Sequence, residues 1–193
     1  MDGQHESTTR LIPRMPAPVL RIPLVEGGEW DLRDQIVSDF TLIAFYRGLH
    51  CPICSRYVAE LDSSVPRFDT LGTKTFCVSM DSLERARAAK QDWKLAHLPL
   101  GFGLSVRTAL EWGLFLSAGM GSTAAGIEEP AVFTEPAIFI IKSNGELYYS
   151  SVQTMPFARP DLTALADAID LVKRRNYPAR GNFLPELPHL APD

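Results

Sequence analysis

The sequence predicts an α/β domain, a central mixed sheet flanked by helices with a β-hairpin extension on its N-terminal side. Three observations point there. Two apolar runs, Thr41–Tyr46 and Lys74–Met80, bracket a segment whose apolar residues recur at helical spacing, the pattern of strand, helix, strand. The stretch AIFIIKSNGELYYSSV, from Ala137 to Val152, turns at Asn144-Gly145, a strong hairpin signal. A final segment from about Asp161 to Arg175 carries Leu162, Leu165, Ile169 and Val172 on one helical face.

In chain order, residues 1–16 read as a flexible arm, polar and then proline-rich. VLRIPLVEGGEWDL, from Val19, reads as a hairpin turning at Glu26-Gly27-Gly28-Glu29. TLIAFY is a fully buried strand. In the helix that follows, Val58, Leu61, Val65 and Phe68 share one face, and Pro66 is expected to kink or end it. KTFCVSM is the next strand. The helix after it takes Asp81 as N-cap, with Glu84 three residues on. A further helical pattern runs from Leu104 to Leu116, and SAGMGSTAAG, from Ser117, reads as a loop. A right-handed crossover makes Thr41–Tyr46 and Lys74–Met80 parallel neighbours. The closing hairpin adds antiparallel strands, and residues 177–193 form a tail.

A chain of 193 residues is long enough for one domain with a substantial core. Its 46% hydrophobic and 22% charged content is globular, and a net charge of −4 argues against nucleic acid as a partner. The nearest basic cluster, VKRR at Val172–Arg175, suits a helix C-terminus. There is no signal-peptide pattern and no apolar run approaching the roughly 18 residues of a membrane span. A cytoplasmic protein without a membrane partner is the expectation. Three cysteines, Cys51, Cys54 and Cys77, make no secreted disulfide framework, so a C-x-x-C pair suggests catalysis or metal.

The chemistry concentrates in FYRGLHCPICSRYVAEL, from Phe45 to Leu61. Pro52 suits the first helical position, which makes Cys51 the N-cap. The free N–H groups of that first turn favour a thiolate. Cys54 lies one turn on. Cβ atoms at that spacing in a regular helix stand about 5–6 Å apart, beyond the roughly 3.5–4.5 Å of a disulfide. An N-cap cysteine has non-helical dihedrals and can close the gap, forming a bond that is easily reduced. Two other readings stand beside the redox couple. A zinc site needs about four ligands, and this chain offers one cysteine pair and scattered histidines. A merely buried pair is the other. Cys77, mid-strand among Phe76, Val78 and Met80, reads as core. His50 either favours the thiolate as a cation or shields the site as a flat neutral ring. Arg47 either assists a thiolate or an anionic substrate or is a solvated loop charge.

These motifs together, with TEPAIFIIKSNGELYY from Thr134, resemble the thioredoxin-like superfamily, and C-P-x-C with T-x-P is similar to glutaredoxin. The resemblance implies a cis proline facing the C-x-x-C motif. Pro136 holds that position, with the Glu135 backbone free to pair with substrate; an ordinary strand-start proline is the plainer alternative. Residues 17–176 are most similar to the redoxin branch, the alkyl hydroperoxide reductase and thiol-specific antioxidant group, in the hairpin, in FCVSMDS and in AIFIIKSNGELYY. The peroxiredoxin pattern P-x-x-x-[TS]-x-x-C is not kept. Gly48 stands at the hydroxyl position, Ala44 at the proline position, and Pro136 where the family's distant arginine falls.

The resemblance therefore implies a thiol–disulfide oxidoreductase with an antioxidant role. Cys51 would attack, Cys54 resolve, and Pro136, Glu135, Arg47 and His50 handle substrate, with no bound cofactor or metal. A peroxidase acting through a Cys51 sulfenic acid is the first alternative, and a non-catalytic binding protein the second. The substrate would be a disulfide or a hydroperoxide, and the reductant thioredoxin or glutathione. An edge strand or the glycine-rich loop could serve a homodimer.

Overall fold

The computed structural model describes residues 11–35, 38–123 and 126–183. Residues 1–10 of the expected arm and 184–193 of the expected tail lie outside them. Strands β1 (Arg21–Pro23) and β2 (Glu29–Asp31) form the expected hairpin, with Ile22 opposite Trp30. A short 3-10 turn, Leu32–Gln35, leads toward β3 (Phe40–Phe45), which is buried along its whole length. Helix α1 (Pro52–Thr70), β4 (Thr73–Val78), α2 (Leu83–Asp92), β5 (Leu100–Gly101) and α3 (Val106–Glu111) follow. A small hairpin pairs β6 (Leu116–Ala118) with β7 (Val132–Thr134), and the chain closes with β8 (Ala137–Lys142), β9 (Leu147–Val152) and α4 (Leu162–Arg175).

The central sheet has five strands in the order β5-β4-β3-β8-β9. As expected, β3 and β4 are parallel, and β8 and β9 are antiparallel additions. Because side chains alternate across a strand, β3 divides the core. Leu42 and Ala44 join Val58, Leu61 and Phe68 of α1 and Leu165 and Ile169 of α4 on one face. Ile43 and Phe45 join Trp30, Phe76, Trp112 and Phe139 on the other. Trp30 stacks on Phe76 at 3.9 Å between ring centroids, which seals the N-terminal hairpin onto the sheet.

Four local expectations change. Pro66 lies inside α1 without ending it. An interior proline costs about 3 kcal/mol, and buried Val65 and Phe68 on either side each return about 1.5–3 kcal/mol by leaving water. The N-cap of α2 is Ser82, whose hydroxyl accepts the Arg85 N–H, while Asp81 is drawn inward. The pattern from Leu104 to Leu116 yields only the short α3: Gly113 turns at φ +67° and the Leu114 N–H returns to the Ala109 carbonyl. Finally, Arg14 and Ala17 donate backbone hydrogen bonds to the carbonyls of Leu147 and Gly145, and Met15 accepts one from Leu147, so this part of the N-terminal segment is tied to the β8–β9 hairpin.

Among the described residues no helix is long and apolar enough to cross a membrane.

Candidate active site

Strand β3 delivers the chain to the C-terminal edge of the sheet, where α1 begins. Between them, Arg47 to His50 form a tight turn in which the Cys51 N–H donates to the Gly48 carbonyl at 3.1 Å. Gly48 has φ +139°, a conformation that favours glycine, and a Cβ there would lie 2.8 Å from the Asp81 carboxylate. The Asp81 carboxylate accepts the Leu49 N–H at 2.7 Å and Arg85 Nε at 2.8 Å.

Cys51 is the N-cap of α1, as its position before Pro52 predicted. Its sulfur accepts the Cys54 backbone N–H at 3.2 Å. A hydrogen bond from the Cys54 thiol lowers the Cys51 pKa most. Burial opposes it, and the Cys54 N–H, Arg159 and Arg47 lower it further, to about 6. Burial and the neighbouring Cys51 sulfur push the Cys54 thiol well above the ordinary range. The two thiols are thus shifted in opposite directions, Cys51 down and Cys54 up. Cys77 is fully buried and its pKa is raised by desolvation, in keeping with a core residue. All three cysteines are free thiols.

Arg47 is more than a loop charge. Its guanidinium lies 4.6 Å from the centroid of the Phe133 ring, and it pairs with Glu129 at 3.5 Å and Glu135 at 3.6 Å. His50 is buried with both ring nitrogens unpartnered. Burial first, and Arg47 second, lower its pKa to about 4, so the ring is uncharged at neutral pH. Its ring packs 4.7 Å from Phe133.

Pro136 departs from expectation. The Glu135–Pro136 peptide is trans, and the Glu135 N–H donates to the Phe115 carbonyl at 2.8 Å rather than standing free for substrate. The reason is the β6–β7 hairpin, which draws the segment ahead of Pro136 into its own ladder, with Leu116 opposite Thr134. The Glu135 side chain is committed as well, accepting from the Ser117 hydroxyl at 2.7 Å. Pro136 still sits at the sheet end, one residue before the Ala137–Phe45 pair.

Sequence reasoning missed Arg159. In the loop between β9 and α4 it donates from Nη2 to Cys54 Sγ at 3.1 Å and from Nε to the Pro156 carbonyl, with its guanidinium 5.0 Å from the Tyr57 ring centroid. Tyr57 holds that loop by donating its hydroxyl to the Pro160 carbonyl at 2.8 Å. Nothing in PFARPDL indicates this contact; only the path of the loop over α1 creates it. Glu129 was missed too. It fastens the Met120 N–H at 2.8 Å and holds Arg47. No group of three or more His, Cys, Asp or Glu side chains suited to a metal occurs among the described residues.

The family model described as AhpC/TSA matches residues 13–150, well over half of the chain. The chain belongs to the AhpC/TSA family. No curated protein matches the sequence. Among solved structures, a reduced 2-Cys peroxiredoxin from Plasmodium vivax superimposes with a TM-score of 0.70 at 16% identity, covering 90% of each chain. A peroxiredoxin-like protein from Aquifex aeolicus gives 0.65 at 16% identity, covering 85% of this chain and 89% of that one. Peroxidoxin BcpB from Mycobacterium tuberculosis gives 0.64 at 14% identity, covering 86% and 98%. At such identities the likeness establishes the fold, thioredoxin-like of the peroxiredoxin kind. Membership of the AhpC/TSA family places the chain among thiol-dependent antioxidant oxidoreductases.

Proposed function

We propose that this AhpC/TSA protein is a thiol peroxidase for small hydroperoxides, with Cys51 as the attacking thiolate and Cys54 as the resolving thiol. The observation that carries the reading is the Cys51 sulfur. It caps α1, its pKa is lowered first by the hydrogen bonds from Cys54 and then by Arg159 and Arg47, and the residue is only 1% exposed. A sulfur so enclosed suits a small peroxide better than a protein disulfide. This reverses the order expected from sequence, because the trans Glu135–Pro136 peptide and the occupied Glu135 N–H withdraw the docking strand that disulfide exchange would use.

In the first step the Cys51 thiolate attacks one oxygen of ROOH and the O–O bond breaks. Cys51 becomes a sulfenic acid, and the departing oxygen leaves as ROH after taking a proton. Arg47 and Arg159 supply positive charge as oxygen becomes anionic, a role that donors of this kind fill at about 2.7–4 kcal/mol each. In the second step Cys54 gives up its thiol proton, attacks the Cys51 sulfur and expels water, forming the Cys51–Cys54 disulfide. Once the first turn of α1 opens to expose that buried bond, an external dithiol or a pair of monothiols, of the thioredoxin or glutathione class, reduces it by exchange.

Stopped-flow reaction of the reduced protein with hydrogen peroxide tests the reading. The rate is expected to exceed about 10⁴ M⁻¹s⁻¹, the lower end of ordinary enzyme efficiencies. Cys51→Ser should abolish the reaction, and Cys54→Ser should accumulate a sulfenic acid that dimedone captures. Slow peroxide consumption, with Cys54→Ser instead trapping a mixed disulfide, would return the disulfide oxidoreductase to first place.

A further inference from the structure

We infer that Asp81 is a positioning residue for the reactive thiol. It acts through the Gly48–Leu49 turn, so that the Cys51 sulfur is held at the start of α1 by a carboxylate contributed from the loop between β4 and α2. The inference rests on Cys51 being the reactive group and is indifferent to whether a peroxide or a disulfide is its substrate.

The geometry is specific. The Asp81 side chain has no exposed surface, yet it is an N-cap candidate in sequence and sits one residue before a serine that takes that role instead. Its two oxygens are divided: one accepts the Leu49 N–H at 2.7 Å, the other Arg85 Nε at 2.8 Å. Its own backbone N–H donates to the Ser79 hydroxyl at 3.2 Å, and its carbonyl accepts the Gly103 N–H at 2.9 Å, which fixes where the carboxylate stands. The bare Cα face of Gly48 packs against that carboxylate so closely that a Cβ would clash at 2.8 Å. A buried carboxylate is costly unless paired and hydrogen-bonded; here Arg85 pairs it, and the Leu49 N–H of the turn it restrains hydrogen-bonds it. Leu49 lies two residues before Cys51, and the Cys51 N–H closes the same turn onto the Gly48 carbonyl. Any drift of Leu49 is therefore passed to the sulfur, whose bond to the Cys54 N–H depends on where the turn ends. Arg85, one turn into α2, has Nη2 buried and unpartnered, so its role in the pair is to hold Asp81 through Nε.

The test is a pH series of iodoacetamide labelling at Cys51, read by peptide mass, in Asp81→Asn. Thiolate fraction governs labelling, so displacement of the sulfur from its donors should slow Cys51 labelling at pH 5, below its pKa of about 6, by about tenfold, the equivalent of one pKa unit. Asp62→Asn is the control. Asp62 is another buried carboxylate, far along α1, which accepts the backbone N–H groups of Ala96, His97 and Leu98. It should lower stability while leaving the Cys51 profile in place. If Asp81→Asn does not fold, Arg85→Gln carries the same test from the partly exposed side of the pair, with Arg85→Lys restoring part of the shift. An unchanged Cys51 profile in the Asp81 or Arg85 variants, or an equal shift in Asp62→Asn, would overturn the inference. Slow peroxide chemistry with the Asp81 shift intact would remove the peroxidase reading and leave this one standing.

Discussion

Arg159 adds to an effect that the hydrogen bonds from Cys54 begin. Its Nη2 touches Cys54, yet its charge also lowers the pKa of Cys51, while burial keeps the proton on Cys54. Arg159→Gln removes that charge and the packing on Tyr57. It should raise the Cys51 pKa and slow peroxide reduction on the order of a hundredfold, the loss typical of one preorganised donor. Arg159→Lys should fall between, because an ammonium keeps the charge without the planar fork. Stopped-flow rates and the pH dependence of labelling together check this. A rate loss with no shift in the labelling profile would mean that Arg159 acts on the peroxide rather than on the thiolate.

Helix α1 starts at the candidate site and carries a proline, Pro66, that was expected to kink or end it and does not end it. Pro66 is exposed and lacks the N–H that would reach the Asp62 carbonyl. Pro66→Ala restores that bond without touching the core. It should raise stability by up to about 3 kcal/mol, seen as a higher denaturant midpoint with peroxide kinetics unchanged. The side chain of Asp62 has the opposite role. It satisfies three backbone donors in the segment entering β5, so Asp62→Ala leaves them unpaired and should cost at least about 2 kcal/mol by the same measurement.

The fold as a whole keeps His50 neutral, which ties stability to pH. Its pKa falls from an ordinary 6.5 to about 4 on folding, so the unfolded chain binds the extra proton between those values. The contribution of His50 is therefore complete above pH 6.5 and is lost as pH falls toward 4. His50→Asn should flatten the decline of the unfolding midpoint across that window. Asp31 works lower. Its carboxyl is held at about 2 chiefly by its hydrogen bond with Arg33, so its contribution is present above the ordinary carboxylate pKa and is lost as pH falls toward 2. Denaturant titrations at a series of pH values separate the two windows, and a His50→Asn protein with the same slope as the parent would contradict the assignment.

The elements β3, α1, β4, β8, β9 and α4, the N-cap position of Cys51 and the core status of Cys77 were legible in the residues, because each rests on interactions spanning a few positions, whereas β5 and the β6–β7 hairpin were not. The apolar run Thr41–Tyr46, Pro52 after Cys51 and the Asn144-Gly145 turn act locally, and their consequences survive in the folded chain. Pro66, Asp81 and Pro136 went the other way. Each local preference was outweighed by packing or hydrogen bonds from a distant segment: the buried neighbours of α1, the Leu49 N–H, and the β6–β7 ladder. The contacts that complete the candidate site are more distant still. Arg159 meets Cys54 across 105 residues and Arg47 meets Glu129 across 82. A periodic pattern records which face of a strand or helix is apolar, but it carries no record of which loop crosses that face. The loop after β9 is such a crossing: its path over α1 brings the Arg159 guanidinium to the buried Cys54 sulfur, a contact no local pattern encodes.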